Sequence, residues 1–208
     1  MNQKHNQKMA MKNWTINAGF YAVWALLLLN PLVLAESQTS AEDFLKSNLN
    51  AVFAVLEKKD LAKQAKSAEI EEIVTPMFDF SLMAKLSLGK EHWTGLSQGN
   101  KDRFTDLFIK RLRQLYLNKL TAYTDEKIIY GSAAEVNNKI HIPTELISKG
   151  KKISMLYKFY PSEGSWKIYD IEIQGVSIIR SYRSQFTEIL KNGTFDDLLE
   201  KLEKPIAN

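Results

Sequence analysis

With 208 residues, the chain has room for one domain of ordinary size or two very small ones. Its 45% apolar content is too high for a disordered chain and too low for a protein of many membrane spans. The formal charge of +4 comes largely from Lys4, Lys8 and Lys12; the remainder carries 25 basic against 24 acidic residues, without the basic excess of a nucleic-acid reader.

Those three lysines precede the apolar run Ala22 to Leu29, the breaker Asn30-Pro31, and Val33-Leu34-Ala35 with small residues at its ends. This order is that of a secretory signal peptide cleaved after Ala35, because the uninterrupted apolar core is short for a membrane span. The expected domains are therefore a signal peptide over 1–35 and a single domain over 36–208. The absence of cysteine excludes disulfides, thiol catalysis and an acylated-cysteine anchor. Export without an anchor reads as a soluble periplasmic protein, held together by its core alone.

The first helix is expected over Ser40 to Lys58, with Ser40 and Asp43 in capping-box spacing and Leu45, Leu49, Val52 and Leu56 as its apolar stripe. A short helix, Ala68 to Thr75, should end near Pro76. Asp79 is an N-cap for Phe80 to Leu88, closed by Gly89. Trp93 to Leu96 reads as a connector. Ser97 caps the longest predicted helix, Gln98 to Thr121, whose stripe is Phe104, Leu107, Phe108, Leu112, Leu115, Tyr116 and Leu120. Lys101, Arg103, Lys110, Arg113 and Lys119 lie on its other side, either as a solvated face or as a docking face.

After Tyr123 the period changes from helical to alternating. Four strands are predicted at Lys127–Tyr130, Lys139–Ser148, Ile153–Tyr160 and Trp166–Ile173, the last three joined by short turns and hence antiparallel. Pro143 implies an edge or a bulge in the second. In the last, Tyr169, Ile171 and Ile173 alternate with Asp170, Glu172 and Gln174. A two-residue corner with Gly175 at positive φ then passes to a helix, Ser177–Lys191, capped by Ser177 and closed by Gly193. Thr194 and Asp197 box-cap a final helix ending at Glu203. The fold class is thus α+β: N-terminal helices, a four-strand antiparallel curved sheet and C-terminal helices, a cone of the NTF2-like or cystatin-like kind.

Chemistry-bearing patterns are few. His92 and His141 have no partner at metal-ligand spacing, so no metal is expected, and no phosphate loop, dinucleotide fingerprint or nucleophile elbow implies a cofactor. Asp170, mid-strand, is the one candidate general base. The bland reading has it facing away from Tyr169 and Ile171, paired with a base such as Arg183 or capping a nearby backbone. Arg183 in turn either meets a phosphate or pairs with Asp170 or Glu172.

Apolar side chains are abundant on both layers: Phe80, Met83, Phe108, Leu112, Leu115, Ile178, Tyr182 and Phe186 on helices, Ile142, Met155, Tyr157, Phe159, Tyr169, Ile171 and Ile173 on strands. From the residues alone these form either a packed core or the lining of a cavity.

One resemblance bears on that choice. The stretch Trp-Lys-Ile-Tyr-Asp-Ile-Glu-Ile-Gln-Gly-Val-Ser (166–177), followed by Tyr182-Arg183-Ser184-Gln185-Phe186, resembles the C-terminal signature of the MlaC family, the periplasmic phospholipid-binding or toluene-tolerance proteins. Phe78-Asp79-Phe80, Leu88-Gly89 with Trp93, and Arg103-Phe104 leading to Tyr116 fall in the same family's order. The resemblance implies an apolar cavity between sheet and helices lined by the fifteen residues above, and a carrier rather than an enzyme. It implies a phospholipid ligand, an inner-membrane ABC transport complex and an outer-membrane lipoprotein complex as partners, and a role in outer-membrane lipid asymmetry; no nucleic acid is implied, and a monomer is expected. The alternatives are a carrier of another lipid such as a hopanoid, an enzyme with Asp170 as base, or a scaffolding domain with a solid core.

Overall fold

Alternation of apolar and polar residues from Lys127 onward builds an antiparallel sheet, and the helical stripes on either side of it in sequence cover one face. The structure, a computed structural model, describes residues 30–117, 127–148 and 150–205, with side chains from Ser40. The chain divides into two units, Met1–Ser37 and Gln38–Asn208, and the fold described is that of the second. The signal-peptide reading falls almost wholly outside the described residues. Among those described, no helix is long and apolar enough to cross a membrane.

Helix α1 (Asn30–Glu57) runs through Ser40 and Asp43, so their box spacing marks no helix start. Its Leu45 and Ala41 are fully buried, and Val52 and Val55 form a satellite cluster with Ile70 of α2 (Lys63–Val74). Helix α2 begins five residues ahead of the expected Ala68, because Lys63 to Ser67 contains no breaker. A 3₁₀ turn (Thr75–Met77) holds Pro76 at its start, where a missing N–H costs least.

Helix α3 (Phe80–Leu88) starts where predicted. The Asp79 carboxylate accepts from Leu82 N at 2.8 Å, and Gly89 closes the helix at φ 86°. Phe78 bridges Ile168 in parallel, Asp79 N donates to Ile168 O at 3.0 Å, and Tyr160 Oη donates to Asp79. The Phe78-Asp79-Phe80 words therefore fasten α3 to the sheet. Trp93 belongs to a short helix, α4 (Lys90–Thr94), not to a connector.

Ser97 caps α5 (Gln98–Leu112) as expected, accepting from Asn100 N, while the expected helix end at Thr121 lies outside the described residues. The helix passes at Arg113 into a π-turn (Arg113–Leu117), and 118–126 lie outside the described residues. Such turns insert a residue into the helical ladder, which apolar spacing does not reveal.

Among the described residues the sheet has six strands rather than four, with two added pieces of two residues each. They are β1 (Lys127–Tyr130), β2 (Ala134–Glu135), β3 (Ile140–Ser148), β4 (Lys151–Ser162), β5 (Ser165–Ile173) and β6 (Val176–Ser177), with β1 and β2 both pairing β3. Pro143 lies between them: Tyr130 pairs Thr144 and Ala134 pairs His141, with an interruption in between. Its carbonyl accepts from Gly131 N at 2.8 Å, so its ring nitrogen faces this same gap, where no ladder donor is called for. The expected edge or bulge is thus an internal seam.

Gln174 (φ 51°) and Gly175 (φ 78°) close a two-residue hairpin between β5 and β6, the backbone of a primed turn. The corner therefore folds back as a strand before α6 (Ile178–Asn192) begins at its Ser177 cap. Helix α7 (Phe195–Glu203) carries the reciprocal Thr194–Asp197 box. Helices α1, α3, α5, α6 and α7 contribute buried residues to one cluster against the sheet.

Candidate functional site

Register decides which side chains share the inner face. Phe159 pairs Ile168, Tyr157 pairs Ile171 and Met155 pairs Ile173, while Ile140 and Ile142 pair Phe159 and Tyr157. Helices answer with Met83 from α3, Phe104, Phe108 and Leu112 from α5, Ile178, Tyr182 and Phe186 from α6, and Leu198 and Leu199 from α7. Of the fifteen expected lining residues, Met83, Phe108, Leu112, Ile142, Tyr157, Phe159, Ile171, Ile178, Tyr182 and Phe186 are buried in this cluster. Phe80, Leu115, Met155 and Ile173 are half-buried against it.

Tyr169 lies elsewhere. The β4–β5 register shifts between Lys158 and Phe159, leaving Tyr169 as an extra residue on β5. Its hydroxyl meets His141 Nε2 at 3.2 Å, and the Lys139 ammonium sits 4.4 Å from its ring centroid. It thus joins a polar outer patch, apart from Ile171.

The cluster has two unlike ends. At one, Phe104 is met by Trp93, Phe108, Phe186 and Phe195, with centroids 5.5–6.4 Å apart. At the other, where β1, β3 and β4 adjoin, Met155 and Ile173 are only half-buried, and hydroxyls of Tyr130, Thr144 and Tyr157 appear among the apolar groups. Thr144 and Tyr130 are binding-site candidates that the sequence reading passed over. Thr144 breaks the apolar phase Ile140, Ile142, Leu146, and that was the available signal.

Asp170 shares its face with Lys158, its cross-strand partner, opposite to Ile171. It is 5% exposed. Its carboxylate accepts from Ser177 Oγ at 2.7 Å, Ile179 N at 3.2 Å and Lys158 Nζ at 3.0 Å. It therefore caps the start of α6, as the bland reading had it, but its cation is Lys158 and not Arg183. Lys158 also donates to Glu172 at 2.6 Å, and Arg180 reaches Glu172 at 2.8 Å. Burial alone would lower the Lys158 pKa; the hydrogen bonds it donates to Glu172 and Asp170 outweigh it and raise it above its ordinary value. Glu172 is held below the usual carboxylate range, chiefly by its hydrogen bond from Lys158.

Arg183 pairs with neither Asp170 nor Glu172. It is exposed, and its guanidinium lies against Gly89, 3.3 Å from where a Cβ would stand. Among the described residues it makes no salt bridge. Of the expected basic face, Arg103 of α5 meets Glu203 at 2.9 Å, Arg113 of the π-turn meets Glu71 at 3.0 Å, Lys101 lies over the Trp93 ring, and Lys119 lies outside the described residues.

Two surface grooves are formed by the described residues. One of about 600 Å³ lies between α2 and α5 and is lined largely by polar residues, among them Glu71, Asp106 and Lys110. The other, about 480 Å³, runs over β1, β3 and β4 and includes Ile129, Pro143, Met155 and Leu156.

This architecture defines an α+β protein whose antiparallel curved sheet is closed on one face by helices around a main apolar cluster. A family model, that of the MlaC protein, matches residues 46–204. The chain belongs to the MlaC family. It is 27% identical over 119 residues to the intermembrane phospholipid transport system binding protein MlaC of Haemophilus influenzae. That match spans 54% of this chain and 56% of the relative, about half the length of each. A solved structure of a phospholipid-binding protein from Ralstonia solanacearum, in complex with a phospholipid, superposes with a TM-score of 0.70. The superposition covers 79% of this chain and 95% of that one at 20% identity, a likeness of fold.

Proposed function

We propose that this chain is a soluble periplasmic phospholipid carrier, exported by a signal peptide over 1–35, that moves lipid between an inner-membrane transport complex and an outer-membrane complex and so maintains outer-membrane lipid asymmetry. Membership of the MlaC family carries the reading. The relative from Haemophilus influenzae, named for intermembrane phospholipid transport, supports it.

The physical task is set by hydrocarbon in water. Two acyl chains hold roughly 30 methylenes, each costing about 0.8 kcal/mol when exposed, so unassisted transit costs on the order of 24 kcal/mol. A carrier must offer an interior nearly as dry as the bilayer, yet bind weakly enough to release its load. The contiguous apolar cluster between sheet and helices is the part of this fold suited to that role, with acyl chains between the two layers and the head group at the mouth. Half-buried, flexible Met155 suits chains of differing length.

The enzyme alternative gains little support from Asp170. Three hydrogen bonds occupy its carboxylate, and it stands on the face opposite Ile171. Mass spectrometry of organic extracts from the purified protein, with uptake from phospholipid vesicles, tests the carrier reading. A co-purifying glycerophospholipid is expected. An extract holding a hopanoid instead replaces the ligand, and an empty extract without vesicle uptake overturns the reading.

A further inference from the structure

Three hydroxyls on the inner face have no adequate partner. Tyr130 stands opposite Thr144 across β1 and β3, and Thr144 stands opposite Met155 across β3 and β4. Thr144 is 3% exposed, and among the described residues neither its Oγ1 nor Tyr130 Oη has a hydrogen-bond partner, although both atoms are buried. Tyr157, 6% exposed, aims Oη at Met155 Sδ, 3.8 Å away, a weak acceptor. The residues that carry these hydroxyls adjoin in the sheet, with Tyr130 opposite Thr144, Thr144 opposite Met155, and Tyr157 two residues along β4 from Met155. Burial pushes both tyrosines up, so each keeps its proton and remains a donor.

Buried polar atoms left unpaired are costly, and Val and Phe would fill the same volumes without that cost. Their presence on a strip shared with Ile140 and Ile142 points to an acceptor arriving from outside the chain. The acceptor should be neutral. Lys46, the cation facing Tyr130 at 5.7 Å from the ring centroid, is already 3.5 Å from Glu42, and an anion buried among hydroxyls alone would be poorly stabilised. A carbonyl oxygen, with two lone pairs and no charge, fits.

Resting on the carrier reading, we propose that Tyr130, Thr144 and Tyr157 form a subsite for the ester carbonyls of a bound acyl lipid, which makes the protein selective for ester-linked over ether-linked chains. Apolar neighbours on the same strands take the hydrocarbon beyond the esters. A dialkyl ether of the same head group and chain length lacks the carbonyls and leaves the hydroxyls unpaired.

The test is competitive. Purified protein is equilibrated with vesicles holding equal amounts of dioleoyl phosphatidylglycerol and its dialkyl ether analogue, and the retained lipids are quantified by mass spectrometry. The expected ester preference is about tenfold, equivalent to about 1.4 kcal/mol. In the double variant Tyr130→Phe/Thr144→Val the ratio should fall toward one. Thr144→Val alone, the mildest change, should lower it about threefold and keeps the test open if the double variant does not fold. Equal retention of both lipids by the unaltered protein overturns the inference alone, as does a variant that keeps the original ratio. No uptake of either lipid overturns the carrier reading, and the subsite with it.

Discussion

Lys158 faces Asp170 across the β4–β5 ladder, its ammonium 3.0 Å from the carboxylate that also holds the first turn of α6. The same ammonium lies 2.6 Å from Glu172, and the three side chains are only 7–18% exposed. One cation thus secures both the last full strand and the start of the helix that follows the hairpin.

Removing that cation should be costly. Lys158→Met leaves two carboxylates facing each other with little water, and the expected loss is about 3 kcal/mol, at the low end for a broken buried pair because Arg180 still reaches Glu172. Denaturant unfolding measures it. A midpoint unchanged by the substitution would show that water, not Lys158, balances the acids.

Stability should fall in two steps on acidification. The His141 pKa lies below its ordinary 6.5, through burial first and Lys158 second, so the unfolded chain binds the proton more readily. Its contribution is full above 6.5 and is lost as the pH falls through the lower folded value. Glu172, held below its ordinary 4.5, contributes fully above that value and loses its contribution as the pH falls through its own lower folded value. His141→Gln should flatten the first step and Glu172→Gln the second, read as unfolding midpoints between pH 8 and pH 3.

Gly89 and Gly175 should respond differently to alanine. Gly175, at φ 78°, has no atom within 4 Å of an added Cβ, so only the backbone objects, at about 1 kcal/mol. Gly89 has φ 86° and ψ 152°, a region almost confined to glycine, and its Cβ would also meet the Arg183 guanidinium at 3.3 Å. Gly89→Ala should therefore cost about 2 kcal/mol or more, and thermal melts of both variants will rank them.

Much of this fold is written locally. Asp79, Ser97, Ser177 and Thr194 cap the helices that their spacing predicts, and β1 occupies its expected residues, because caps and alternation are short-range signals. Non-local features were hidden. The bulge at Tyr169 leaves the run Tyr-Asp-Ile-Glu-Ile looking continuous, yet it sends Tyr169 to the polar patch while Ile171 stays inside. Lys158 drew no notice because its acids lie 12 and 14 residues away, joined to it only by register. The site was half legible. Apolar phase identified most of the buried cluster, but periodicity says nothing of how tightly that cluster packs, nor that Tyr130 stands opposite Thr144 across the β1–β3 ladder.

That difference in packing can be measured at two residues of the one cluster. Phe104 is fully buried among four aromatic rings, and Phe104→Ala should cost about 4 kcal/mol through lost contact and the void it leaves. Met155, half-buried beside Thr144, should cost only about 1–2 kcal/mol as Met155→Ala, since part of its surface is already open. Lipid retained per folded molecule should move the other way. It should stay near the unaltered value in the Phe104 variant, assayed where that variant is still folded, and drop in the Met155 variant. Loss of lipid from both in proportion to their destabilisation would mean that the aromatic end is lining too, and that the two-ended division of the cluster is wrong.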